Sequence, residues 1–91
     1  ARLAIFRVHC RGKPVAEDVD LAGLAKATEG CSGADIEAVC RKGTMLAIRE
    51  YLEAHPWGTD PAFRGYTLRM SHLGEALRSL RATEQERGWV R

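Results

Sequence analysis

The stretch TEGCSGADIEAVCRKG, residues 28–43, reads as the end of one helix, a turn and the start of another. Gly30 suits the left-handed position that closes a helix. Ser32-x-x-Asp35 follows the capping-box spacing, with Asp in the acidic place. Ser32 is expected to accept from the Asp35 amide, and the Asp35 carboxylate suits the positive end of the helix dipole. The new helix therefore opens on Gly33 and Ala34, two very small residues. Its expected run is Gly33 to Ala54. Ile36, Val39, Cys40, Gly43, Leu46 and Ala47 form one apolar stripe, while Met45, Ile48 and Leu52 form a second on roughly the opposite side. A helix apolar on two sides is packed between neighbours. The second stripe either completes the core or faces another surface.

Upstream, Asp20 is a good cap for a short helix, LAGLAKAT, with Leu21, Leu24 and Ala25 facing inward. An earlier helix is expected from about Arg2 to Arg11, ended by Gly12 and Pro14. Leu3, Phe6 and Cys10 mark one of its stripes, and Ile5, Val8 and His9 an adjacent one. The acidic loop PVAEDVD joins these two helices. Downstream, residues 55–65 are a loop by their Pro and Gly content. Tyr66, Leu68 and Met70 alternate, so YTLRM is expected to be extended. Ser71 is the expected cap of a last helix carrying Leu73, Ala76, Leu77 and Leu80. RATEQERGWVR is expected to be a loose tail or a marginal helical turn. The fold class is all-α, a four-helix domain over 1–81 with a tail at 82–91.

Composition limits the function classes. The 91 residues are 45% apolar, enough for one core, and carry a formal net charge of +2. The basic residues are dispersed, so no nucleic-acid surface is indicated. A helix-turn-helix reading of GADIEAVCRKGTMLAIREY is opposed by Glu37, Glu50 and Glu53. No run is long enough for a membrane span, and no signal-peptide pattern is present. Cys10, Cys31 and Cys40 lack metal-ligand spacing and suit reduced, partly buried positions. The first residues are already helical in pattern without a cap or leading loop, the expectation for a piece of a longer chain.

A catalytic constellation is missing, as is a GxxxxGK[ST] phosphate loop. What remains is a possible half-site. Ile5 and His9 share a helical face. The first amides of the third helix lack intrahelical partners, and small residues there let a flat ring or ribose approach. His9 can donate to or accept from such a ligand. Each feature also has an ordinary structural reading: a His at a helix end interacts with the dipole, and Gly-Ala after Ser simply starts a helix.

The residues from ARLAIFRVHCR through TMLAIRE strongly resemble the small helical lid subdomain of AAA+ ATPases, most closely the valosin-containing-protein or cell-division-cycle type. Ile5 and His9 match that group's Ile-x-x-x-His, PVAEDVDL at 14–21 its PLAEDVDL, and residues 28–40 its TEG-x-SGADIEA-x-C. TMLAIRE at 44–50 resembles the continuation. The match is specific over about 1–53 and looser over YTLRMSHLGEALRSL. Lids of membrane-bound AAA proteases and proteasomal ATPases share the Gly-Ala-Asp element.

The resemblance implies ATP/ADP as ligand, with Mg2+ and the phosphates held by a large subdomain absent from this sequence. It places Ile5, His9, Gly33 and Ala34 against the nucleotide. It gives Ala34 where many AAA+ proteins have an arginine sensor. The implied function is a nucleotide-sensing lid of a hexameric, cytoplasmic (or nuclear) protein unfoldase. Its partners would be the large subdomain, neighbouring subunits of a homohexamer and protein substrates. Alone, the chain should be inactive as an enzyme. The alternatives are a stand-alone helical protein-interaction module, or the lid of a proteasomal or protease-linked ATPase. Among departures from the family pattern, Lys42-Gly43-Thr44 replaces Glu-Ala-Ala. Gly43 costs about 1 kcal/mol of helix propensity and would permit a close helix crossing. Cys31 stands where an aromatic residue is common, and the Arg-Pro-Ser continuation is absent.

Overall fold

The computed structural model describes residues 1–56 and 65–90, with side chains through residue 82. Four helices follow in order: α1 Arg2–Cys10, α2 Leu21–Ala27, α3 Gly33–Ala54 and α4 Met70–Val90. The chain is all-α, as its periodicity predicts. Trp57 and Phe63 of the 55–65 loop, which the resemblance offers as contacts with a neighbouring subunit and which could equally complete this domain's own core, lie outside the described residues.

Local chemistry sets the ends of the first three helices. After α1, Gly12 takes φ +77°, a left-handed backbone that strains any side chain. Asp20 Oδ1 accepts from the Gly23 N–H at 3.0 Å and so caps α2. Thr28, fully buried, turns its hydroxyl onto the Leu24 carbonyl at 2.9 Å, and Gly30 follows at φ +88°. The capping box of α3 is complete: the Asp35 N–H donates to Ser32 Oγ at 3.2 Å, and the Ser32 N–H donates to Asp35 Oδ2 at 3.0 Å.

The central element is α3, with α1 and α4 packed against it and α2 against α1. Phe6 and Cys10 from α1, Leu24 from α2, and Ile36, Val39, Cys40 and Ala47 from α3 bury together with Leu68, Leu73 and Ala76. Gly43 marks the crossing of α3 and α4: a Cβ there would lie 2.9 Å from Leu73 Cδ2 and 3.5 Å from the His72 carbonyl oxygen. The helix-propensity cost of this glycine is thus offset by a close approach of Leu73.

The second stripe of α3 is not core. Met45 is 54% exposed, and Ile48 and Leu52 are half-buried without joining the central cluster. Leu46, expected in the first stripe, is likewise only half-buried and outside the cluster. On α1, Leu3 stays half-buried outside the cluster and Val8 is exposed.

The extended piece around Leu68 has a partner that no local pattern announces. Leu68 pairs in parallel with Val15 of the acidic loop, its N–H donating to the Pro14 carbonyl at 2.8 Å. The Ala16 N–H returns a bond to the Leu68 carbonyl at 2.9 Å.

Both ends of α4 depart from expectation. The helix begins at Met70 rather than after Ser71, which is exposed. Arg69 takes the capping position, its carbonyl accepting from the Leu73 N–H at 3.3 Å. The Arg69 amide donates to His72 Nδ1 at 2.9 Å, and the Met70 amide to Asp18 Oδ1 at 3.5 Å. A side chain one residue on, His72, and one from a distant loop, Asp18, thus take the place of the serine cap. At the far end the helix continues through Val90, past the expected limit at residue 81. Residues 81–87 are mostly good helix formers and contain no proline, which lets the helix propagate.

Candidate functional site

Ile5 sits mid-way along α1, half-buried against the core, with His9 one turn on along the same face and also half-buried. The capping box fixes the start of α3 beside them. A Cβ at Gly33 would lie 3.6 Å from Ile5 Cδ1, an ordinary van der Waals distance. Ile5 and Gly33 are therefore neighbours, although 28 residues separate them in sequence. Ala34 follows at the exposed start of α3. His9 joins this group through α1, with no hydrogen bond linking it to Gly33 or Ala34.

In the first turn of α3, Ser32 occupies the Asp35 amide. The Gly33 and Ala34 amides have no hydrogen-bond acceptor among the described residues, as expected at a helix start. The only ionisable side chain in that turn is Asp35, an anion. Open amides, an aliphatic side chain and a glycine suit a flat, largely uncharged group such as a nucleobase with its ribose. They offer no cation to a phosphate.

A second arrangement lies toward the other end of α3. A groove of about 210 Å3 is lined by Glu50, Tyr51, His55, Tyr66 and Arg69, among others. Tyr51 and His55 stack with ring centroids 4.3 Å apart. Glu50 receives a hydrogen bond from His72 Nε2 at 2.8 Å and one from Arg69 Nη1 at 3.1 Å. The His72 hydrogen bond, with the charge and hydrogen bond of Arg69, holds the Glu50 carboxyl below the usual carboxylate range. Sequence reasoning missed this cluster because its parts are 19 and 22 residues apart. The one local signal was His72 three residues after Arg69, the spacing at which a side chain reaches back to a cap.

Cys10 and Cys40 are buried where α1 meets α3, and neither is in a disulfide. Burial, reinforced by the Cys10 thiol beside it, pushes the Cys40 thiol up to about 12. It is an inert core residue rather than a nucleophile. Among the described residues no cluster of His, Cys, Asp or Glu could hold a metal ion, and no helix is long and apolar enough to cross a membrane.

Residues 18–59 match the AAA+ lid domain model. The chain belongs to the AAA+ lid domains. Relatives agree with that assignment. A cell division cycle protein 48 homolog of Archaeoglobus fulgidus is 47% identical over 83 residues, 89% of this chain and 11% of the relative. A proteasome-activating nucleotidase of Methanopyrus kandleri is 59% identical over 49 residues, 54% of this chain and 11% of the relative. The ATP-dependent zinc metalloprotease FtsH of Thermus thermophilus is 57% identical over 49 residues, 54% of this chain and 8% of the relative. A chain from a katanin self-assembly structure superposes with a TM-score of 0.71, covering 85% of this lid and 29% of that chain; at 24% identity it supports the fold alone. The lid spans only about a tenth of the length of these curated relatives.

Proposed function

We propose that this lid covers the adenine and ribose side of an ATP site and senses the nucleotide for a hexameric AAA+ ATPase of the protein-unfoldase type. The observation that carries the reading is the seating of Gly33 against Ile5, which brings residues from two distant helices to one face with open amides beside them. Ile5 would pack on the base, His9 would hydrogen-bond the base or ribose, and Gly33 and Ala34 would let the helix start approach the nucleotide. A large subdomain outside this chain would hold Mg2+ and the phosphates, where ATP is hydrolysed. The lid has no cation in the first turn of α3, so it would follow nucleotide state by packing and rigid rotation about a hinge. Such rotation would be passed to neighbouring subunits of a homohexamer and, through them, to a protein substrate. The setting would be the cytoplasm. The 59% and 57% matches over 49 residues favour one second reading, the lid of a proteasomal or protease-linked ATPase with the same nucleotide contacts.

The test uses an ATPase that contains this lid. His9→Ala is expected to weaken ADP binding roughly 3- to 10-fold, the loss of one hydrogen bond, with lid helicity unchanged. Equal affinity for wild type and variant would remove the adenine role. Ala34→Glu is expected to cripple nucleotide binding through bulk and negative charge. Normal ATP turnover by that variant would show that the start of α3 faces away from the pocket.

A further inference from the structure

His72 is 5% exposed, yet both of its ring nitrogens are engaged. Nδ1 accepts the Arg69 backbone N–H at 2.9 Å, so it must present a lone pair. Nε2 lies 2.8 Å from Glu50 Oε2, so it carries the hydrogen. We propose that His72 is a proton-sensitive joint between α3 and α4, held as the neutral imidazole with its hydrogen on Nε2.

The groups around it fix this form. From α3, Glu50 accepts from Nε2–H, and its other oxygen is held by the Arg69 guanidinium of the incoming link. From the loop between α1 and α2, Asp18 accepts the next amide, that of Met70. On α4 itself, Glu75 lies three residues on and is exposed. His55, the imidazole that lines the neighbouring groove, donates its Nδ1–H to the Tyr51 carbonyl at 3.0 Å. The backbone geometry around His72 thus requires a neutral ring, while the Glu50 carboxylate favours a charged one.

That opposition gives the joint two settings. A proton added at Nδ1 turns an acceptor into a donor facing another donor, so the Arg69 amide loses its partner. The Nε2–H bond to Glu50 is strengthened at the same time. Protonation therefore loosens the start of α4 while tightening the hold on α3. The change acts on Arg69, the first turn of α4 and the bond to Glu50, and its argument uses no nucleotide contact.

Nitrogen-15 NMR of the His72 ring, followed with the Arg69 amide through an acid titration, tests this. At neutral pH one ring nitrogen, Nδ1, is expected to be pyridine-like and Nε2 pyrrole-like. As Nδ1 takes up its proton, the protection of the Arg69 amide, its exchange measured against the intrinsic rate at each pH, is expected to fall roughly 10-fold, in line with loss of about one hydrogen bond. Amides of α3 should stay protected. Glu50→Gln keeps an acceptor for Nε2–H and should preserve the neutral tautomer. His72→Asn keeps an acceptor for the Arg69 amide but cannot titrate, and should abolish the acid response. Two protonated ring nitrogens at neutral pH would overturn the proposal, because the joint would be a fixed ion pair. An Arg69 response that persists in His72→Asn would overturn it as well, by assigning the titration to another group.

Discussion

Ser32 and Asp35 exchange two hydrogen bonds across the first turn of α3, and that exchange determines where Gly33 and Ala34 stand. A one-residue shift of the start would rotate Gly33 away from Ile5. Ser32→Ala should cost about 1 kcal/mol of stability, read as a lower urea midpoint with an unchanged m-value. An unchanged midpoint would mean that the box is dispensable to the fold. This box was legible in the sequence because its partners lie three residues apart and their chemistry is local. Gly43 was legible as a helix-propensity cost and as a site for a close crossing, but not its partner, Leu73, 30 residues away. Glu50 and His72 gave no sign of each other, since neither residue has a pattern that names a distant partner.

At the scale of elements, packing rather than propensity explains what the sequence left ambiguous. The two apolar sides of α3 look equivalent in sequence, yet only the Ile36–Val39–Cys40–Ala47 side is buried. Periodicity locates α4, but its first turn is set by His72 reaching back and by Asp18 reaching across from another loop. Ser71 has the better capping chemistry and is unused because Arg69 already has its partner. The α1–α3 contact carries a pH dependence of its own. Cys40 stays protonated in the folded chain up to about 12, while an unfolded thiol ionises near its ordinary value of 9.0. Its raised value contributes stability that is fully present below about 9 and lost as pH rises toward about 12. Denaturation midpoints measured across that alkaline range should fall more steeply for the wild type than for Cys40→Ala. Parallel slopes would show that the buried thiol has no linkage to folding.

Over the whole molecule, the short helix α2 is tied at its C-terminal end from both neighbouring directions. Arg2 of α1 donates to the Ala25 carbonyl at 2.7 Å, and Arg81 of α4 donates to the Ala27 carbonyl. These bonds, the Val15–Leu68 bridge and the Glu50–His72 tie join elements far apart in sequence into one packed body. The proposed function rests on one face of this body, where Gly33 neighbours Ile5, meeting a nucleotide. Photolabelling with 8-azido-ADP, in an ATPase that contains this lid, tests it most directly when the modified peptides are mapped by mass spectrometry. ADP-competable label is expected on α1 around Ile5 and His9 or at the start of α3 around Gly33 and Ala34. Competable label found wholly outside those two segments would contradict it.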